Sequence, residues 1–367
     1  DTAPHGELVE HRFGPTRPVS SYLAAVAIGA FESDPPRVVN QIPLRVFSAR
    51  GQTAQTRFAT DFTARLLPWY EEYFDYPYPY GKYDQVAVPG FDAGAMENVG
   101  LVLFRQHLLL MDPATASWRQ EKTIALVVAH EFAHMWFGNL VTMRWWDDLW
   151  LNEAFAEWMA HKVVAALAPD YQVWSDFQDD KARALADDAL PSTHPIWTPV
   201  ETPEEAVEMF DSITYQKGCA VMRMLENFLG EAPFRDGLRS YMKAHAESNA
   251  TGPDLWSQLE AASGQPVSSL MESWVAQPGF PLITLEQTGP RTLRVSQRRF
   301  FSDPTHKDEG AQRWRGTGMT LAQPPQREFP CSSFPPISCA ARRGTQVAVF
   351  AAFLCRCSKN EQAIISI

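Results

Sequence analysis

His130-Glu131-Phe132-Ala133-His134 sets two imidazoles four positions apart, with a carboxylate beside the first. On a helix, positions i and i+4 share one face, so a single cation can take a nitrogen from each ring. Glu131 then lies on the flank of that face, where it reaches a water activated by the cation without ligating the cation. Two neutral nitrogens with an open side suit zinc, which at a catalytic site needs a third protein ligand. Glu153 is the candidate. It opens the helical stretch Leu151-Asn152-Glu153-Ala154-Phe155-Ala156-Glu157, 19 positions after His134, which is enough chain to end one helix, cross a loop and return. Two histidines and one glutamate leave a position for water. Glu157, one turn on, competes as a ligand, but reads better as a partner for a ligand or a surface helix charge.

Several elements must hold these groups. The apolar run Thr123–Ala129 carries the first helix, Ser117-Trp118-Arg119-Gln120 is a capping signature for its start, and Gly138 marks its end. Asn152 is expected to cap the second helix, which runs to Ala168 and is stopped by Pro169. The dense Trp145-Trp146-Asp147-Asp148-Leu149-Trp150 patch reads as core, with Asp148 a partner for a ligating histidine. Upstream, 21–32 and 37–48 read as strands, and Pro43 suits an edge or bulge. Phe58, Phe62, Leu66, Tyr70 and Tyr73 recur at helical spacing. Tyr83–Val88 and Leu101–Arg105 read as strands around a Gly-rich loop at 89–100. Downstream, helical patterning covers 171–189, 203–210, 215–229, 233–247 and 253–261, and strands return at 283–285 and 292–295. This mixture is α+β.

Composition bounds the rest. With 367 residues, 45% of them apolar, the chain can build a large core in two or more domains. A net charge of -11 gives no electrostatic reason to bind nucleic acid and fits attraction of cationic ligands. No run of about 18 apolar residues is present to span a membrane. The chain starts at Asp1, so its lack of a signal peptide says little. Only Cys219 lies before residue 311, which argues against a disulfide framework and leans toward a cytoplasmic location. From residue 311 onward there are seven basic and two acidic side chains, with Cys331, Cys339, Cys355 and Cys357, so a boundary falls near 315.

His130-Glu131-x-x-His134 followed by Asn152-Glu153 resembles the gluzincin zinc peptidases. Gly94-Ala95-Met96-Glu97-Asn98 is similar to the G-A-M-E-N exopeptidase motif of the M1 family, the aminopeptidase N-like enzymes. Phe210-Asp211-Ser212-Ile213-Thr214-Tyr215-Gln216-Lys217-Gly218 is similar to that family's catalytic-tyrosine segment. The resemblance runs over about residues 20–305. It implies a thermolysin-like catalytic domain at 51–280, with a mixed β-sheet subdomain and a mostly α-helical one. A remnant of an N-terminal β domain at 1–50 would precede it, and the start of a β-sandwich at 281–315 would follow. The Pro/Cys/Arg-rich stretch 316–367 departs from the family and reads as a frameshifted or misassembled, disordered tail.

The resemblance also implies one zinc ion per chain, held by His130, His134 and Glu153, and hydrolysis of the N-terminal peptide bond of peptides with a free N-terminus. Glu131 serves as general base, taking the water's proton and returning it to the leaving amine. Tyr215, which by pattern alone would be a core residue, becomes the donor to the oxyanion. Glu97 binds the substrate ammonium. Gly94 and Ala95 are small enough for close backbone approach, Met96 lines the first side-chain pocket, and Asn98 completes the loop. The family's N-terminal β domain lends a further carboxylate to the amine site, and no residue here matches it. Three other readings stay open: an endopeptidase, which has no need of Glu97; the leukotriene-epoxide hydrolase branch, which carries Gly where this chain has Ala95; and a non-catalytic or weakly active chain with its motifs intact.

Overall fold

The computed structural model describes residues 2–5, 8–289, 292–306, 314–315, 327–330 and 346–347. β1 (Thr2–His5) and β2 (Leu8–His11) form a short antiparallel pair. The stretch 21–32, expected as a strand, instead makes one 3-10 turn at Ser21–Leu23 and is extended and paired only in β3 (Phe31–Ser33). Residues 24–30 have no neighbouring strand among the described residues, so their β-forming side chains have no ladder to join. The second expected strand is a hairpin, β4 (Arg37–Val39) and β5 (Ile42–Ala49). It turns at Asn40 and Gln41, whose φ angles are 46° and 69°, the left-handed pair that a two-residue hairpin requires.

α1 (Arg57–Phe74) follows, then β6 (Tyr83–Val88), β7 (Ala95–Met96) and β8 (Leu101–Arg105). These strands form one sheet in the order β3-β5-β6-β8-β7, with β4 on β5. β5, β6 and β8 run parallel, and β7 runs antiparallel to β8 at the edge. Residues 31–49 are therefore part of the same sheet as 83–105 rather than a separate layer, and the boundary read at residue 50 falls inside that sheet. Pro43 is tolerated in the inner strand β5 because pairing with β6 begins only at Leu44, so its missing N–H breaks no rung there.

α2 (Trp118–Ala133) starts where the capping signature put it, with the Ser117 side chain accepting from Gln120 N at 3.2 Å. It ends before Gly138, so His134 is its C-terminal cap. The His134 N–H still bonds to His130 O at 3.3 Å, and the one-turn relation of the two rings survives. β9 (Val141–Met143) precedes α3 (Trp150–Leu167). α3 begins two residues before Asn152, which is therefore inside its first turn and not its cap. α3 is apolar nearly all round and is buried accordingly, with Phe155, Trp158, Met159 and Val163 in the core.

Helices dominate from there: α4 (Val173–Asp188), α5 (Pro203–Glu208), a π-helical turn at Ile213–Lys217 continuing into α6 (Gly218–Leu229), and α7 (Glu231–His245). β10 (Ser248–Ala250) pairs with β9, and α8 (Gly252–Ser263) follows. α9 (Val267–Val275) was not expected, although Val267, Leu270, Met271 and Trp274 are buried at helical spacing. β11 (Pro281–Gly289), β12 (Thr292–Arg299), β13 (Arg327–Pro330) and β14 (Gln346–Val347) make a second sheet in the order β13-β12-β11-β14. Apart from β13 and β14, the expectation for 316–367 lies outside the described residues. No helix among the described residues is long and apolar enough to cross a membrane.

The aromatic core locks α1, α2 and α3 together. Tyr70 stacks on Phe132 and Trp136, Phe74 packs on Phe137 and Phe155, and the Tyr70 hydroxyl donates to Ala129 O at 2.8 Å. α6 closes on α3 through Gly218, where a Cβ would lie 2.5 Å from Ala154 Cβ. Gly218→Ala therefore overpacks the contact behind Glu153, and we expect a loss of about 1–3 kcal/mol despite the better helix former. The urea midpoint measures it; an unchanged or raised midpoint would show that the helices separate freely.

Candidate active site

α2 and α3 face each other across the site. His130 Nε2 lies 3.2 Å from Glu153 Oε2, and His134 Nε2 lies 3.5 Å from the same oxygen. One donor atom from each of these three residues falls within 4.8 Å of the others. The remaining ring nitrogens are both engaged: His130 Nδ1 is 3.1 Å from Glu157 Oε2, and His134 Nδ1 is 3.0 Å from Phe137 O. Acceptors on both Nδ1 atoms fix the ring orientations and turn both Nε2 atoms toward Glu153. Glu157 thus touches the far side of a histidine.

Glu131 is buried on the flank of α2, and its Oε2 has no hydrogen-bond partner. Glu97 comes from the β7–β8 loop and is equally buried; one of its oxygens shares a 4.8 Å cluster with Glu131 and His134. Four carboxylates (Glu97, Glu131, Glu153, Glu157) thus surround two imidazoles. Burial pushes Glu131 up to about 8 against the pull of His130 and His134. It raises Glu97 too, which His134 opposes. Burial also opposes ionisation of Glu153, but the two imidazoles outweigh it and hold that carboxyl well below the usual range. The converse holds for the rings. Burial disfavours their charged forms, yet Glu153 and Glu157 raise His130 well above its ordinary value, and Glu97 and Glu153 push His134 up to about 9.

The set fits a divalent cation on three counts: two Nε2 atoms and a carboxylate oxygen converge, the carboxylates outnumber the imidazoles, and Glu131 keeps a buried oxygen unpartnered beside them.

The loop expected at 89–100 is partly a strand. Ala95 and Met96 pair with Phe104 and Leu103 at the sheet edge. Gly94 O accepts from Arg105 N at 2.8 Å, and the Arg105 side chain donates to the carbonyls of Phe91, Asp92 and Ala93. Asn139 Nδ2 donates to Glu97 O at 2.8 Å, and Asn98 Nδ2 to Leu23 O at 3.3 Å. Tyr22 joins the site without any signal in its sequence neighbourhood. Its hydroxyl accepts from Asn152 Nδ2 at 3.1 Å, and burial, followed by Glu97 and Glu153, raises its pKa far above the usual value. Only the turn at Ser21–Leu23, hidden in what read as a strand, brings it there.

Tyr215 stacks on His130 with ring centroids 6.0 Å apart, and burial and Glu153 raise its pKa well above the ordinary value. Its turn is anchored by Lys217, whose Nζ is 2.8 Å from Asp188 Oδ2 and donates to Gly279 O at 3.1 Å. Two expectations need correction. Asp148 does not meet a histidine; it accepts from Trp150 Nε1 at 3.0 Å and from Gly252 N at 3.3 Å, tying the start of α3 to α8. Nor is the Trp patch all core: Trp150 stacks on Trp256, but Trp145 is 53% exposed, with its indole N–H on Val200 O.

A pair of imidazoles and a glutamate converging from facing helices, with a spare buried carboxylate beside them, is the constellation of an H-E-x-x-H metallopeptidase. The Peptidase family M1 domain matches residues 58–274, and the chain belongs to that family. It is 44% identical over 304 residues to a puromycin-sensitive aminopeptidase of Caenorhabditis elegans, covering 82% of this chain and 32% of that protein. It is 43% identical over 284 residues to Aminopeptidase M1 of Arabidopsis thaliana, covering 77% and 32%. It is 40% identical over 294 residues to a leucyl aminopeptidase of Saccharolobus solfataricus, covering 80% and 37%. The chain spans about a third of the length of these relatives.

The Lys217–Asp188 pair is fully buried. Lys217→Met leaves Asp188 without its cation, and we expect a loss of about 3–5 kcal/mol. An unchanged urea midpoint would show the pair to be dispensable.

Proposed function

We propose that this chain is a zinc-dependent aminopeptidase that removes the N-terminal residue of peptides. The observation that carries the reading is the convergence of His130, His134 and Glu153 beside two further buried carboxylates, Glu131 and Glu97, one of them with an orphan oxygen. His130, His134 and Glu153 would hold a single zinc ion, which when bound polarises the scissile carbonyl and makes water acidic enough to attack near neutral pH.

The chain's own groups do the rest. Glu131 takes the attacking water's proton on its free Oε2 and delivers it to the leaving nitrogen. Tyr215, neutral because burial keeps its pKa high, donates its hydroxyl proton to the oxygen that gains charge. Glu97 binds the α-ammonium by a charge-assisted bond, so the register is counted from the N-terminus. Gly94, Ala95 and Met96 line the edge of the sheet. An extended peptide can add alongside them, with Met96 against the first side chain and Asn98 holding the loop to the 21–23 turn. The fold that does this is, on this reading, the family's thermolysin-like catalytic domain, with the sheet beginning at β11 as the start of the β-sandwich.

The test uses the zinc-loaded chain with an aminoacyl-anilide and its N-acetylated counterpart. The free substrate should be cleaved and the acetylated one spared, and Glu131→Gln should lower kcat by about 10²–10⁴-fold. Full activity in Glu131→Gln sinks the mechanism, and equal cleavage of the acetylated substrate sinks the exopeptidase assignment.

A second expectation concerns the metal. Glu157→Ala frees His130 Nδ1, and zinc affinity should fall about 10–100-fold in a chelator competition titration. An unchanged affinity would mean that Glu157 does not orient the ring.

A further inference from the structure

Tyr215 rides on a π-helical turn, Ile213–Lys217, not on a regular helix. The first N–H groups of such a turn need acceptors from outside it. Asp211 supplies them. Its Oδ1 accepts from Ile213 N at 2.9 Å and from Thr214 N at 3.0 Å, and its main-chain oxygen accepts from Tyr215 N at 3.1 Å.

The other carboxylate oxygen, Oδ2, faces His194 Nε2 at 2.9 Å. The second nitrogen of that ring, Nδ1, faces Pro195 O at 2.7 Å. A carbonyl oxygen only accepts, and so does an ionised carboxylate. A neutral imidazole has one N–H and can satisfy only one of the two, so keeping both contacts requires the imidazolium.

We propose that His194 and Asp211 are positioning residues for Tyr215: the imidazolium orients the carboxylate, the carboxylate caps the π-turn, and loss of the His194 proton loosens the turn and slows turnover. The proposal rests on Tyr215 acting as the oxyanion donor.

The electrostatics have the required sign. The hydrogen bond to Asp211 is the largest influence on His194 and raises its pKa; burial and Lys217 oppose, and Pro195 O assists. Asp211 is held below the usual carboxylate range, with burial opposing and His194 and the two capped N–H groups prevailing. Among the described residues, the charged groups that act most strongly on the ring are Asp211 and Lys217, and Lys217 is itself matched by Asp188. Because the folded pKa of His194 lies above the unfolded one, the pair contributes fully below the unfolded value of about 6.5. Its contribution is lost as pH rises through the folded value. The turn therefore loosens on the alkaline side.

The experiment measures kcat and KM of the zinc-loaded chain between about pH 6 and pH 10, together with hydrogen-exchange protection factors for the Ile213 and Thr214 amides. Wild type, His194→Gln, Asp211→Asn, Asp211→Ala and Tyr215→Phe are compared. In wild type, kcat and both protection factors should fall over one alkaline range while KM stays within about twofold. His194→Gln should start about tenfold lower in kcat and lose that dependence, since a displaced donor works poorly and glutamine does not titrate. Asp211→Asn, which keeps an oxygen for the two N–H groups, should retain more kcat and protection than Asp211→Ala. His194→Gln with wild-type protection and the wild-type alkaline fall overturns the proposal. Full kcat in Tyr215→Phe overturns the oxyanion reading instead, while the protection factors of His194→Gln still decide whether the pair holds the turn.

Discussion

Everything around the site answers to one constraint, the burial of charge. Glu97, Glu131, Glu153 and His134 are each at least nine-tenths inaccessible, and Glu157 and His130 lie beside them. A single unpaired ion in such a place costs several kcal/mol. The fold meets that cost by pairing. Each imidazole has an acceptor on both nitrogens, Glu153 touches two rings, and Glu157 closes the far side of one. Glu131 differs from these, since one of its buried oxygens has no hydrogen-bond partner. Glu131 thus keeps a buried carboxylate oxygen unpartnered beside groups that are paired, an atom open to a proton or a ligand.

The scaffold makes such burial tolerable through rigidity. Tyr70, Phe74, Phe132, Trp136, Phe137 and Phe155 interlock α1, α2 and α3, so the rings of α2 and the carboxylates of α3 have little room to drift. The sheet then brings its edge strand β7 to the same place, and Asn139 and Arg105 pin the chain on either side of it. Loop 94–98 is therefore placed by secondary structure at one end and by side chains at the other. The positioning of Glu97 depends on elements 42 residues away in sequence, at Asn139, as much as on its own neighbours.

This division explains what could be read from the residues. The spacing of His130, Glu131 and His134 is local, and local periodicity survives folding, so the sequence shows their common face directly. Ser117 as a cap is equally local. Glu153 was reachable by counting chain, and Gly94 to Asn98 and Tyr215 only by resemblance. What depends on partners distant in sequence was not legible. Residues 21–32 have strand composition, but among the described residues only Phe31 and Glu32 find a strand to pair with, so Tyr22 reached the site unannounced. Asn152 has a cap's chemistry, but the helix starts earlier and its amide goes to Tyr22. Asp148 lies near the histidines in sequence and is claimed by Trp150 and Gly252. The hairpin at 37–49 read as the end of another domain because its pairing with β6 is a tertiary fact.

The turn that carries Tyr215 follows from the same constraint. Tyr215 faces His130 from a third element, on a turn that runs directly into α6, and Gly218 packs α6 against Ala154. That turn is π-helical, a rare local winding found frequently at functional sites. Charged groups bracket it, with Asp211 and His194 before it and Lys217 and Asp188 at its end. On the proposed reading, charge placed away from the metal ligands thereby holds the aromatic side chain that faces His130.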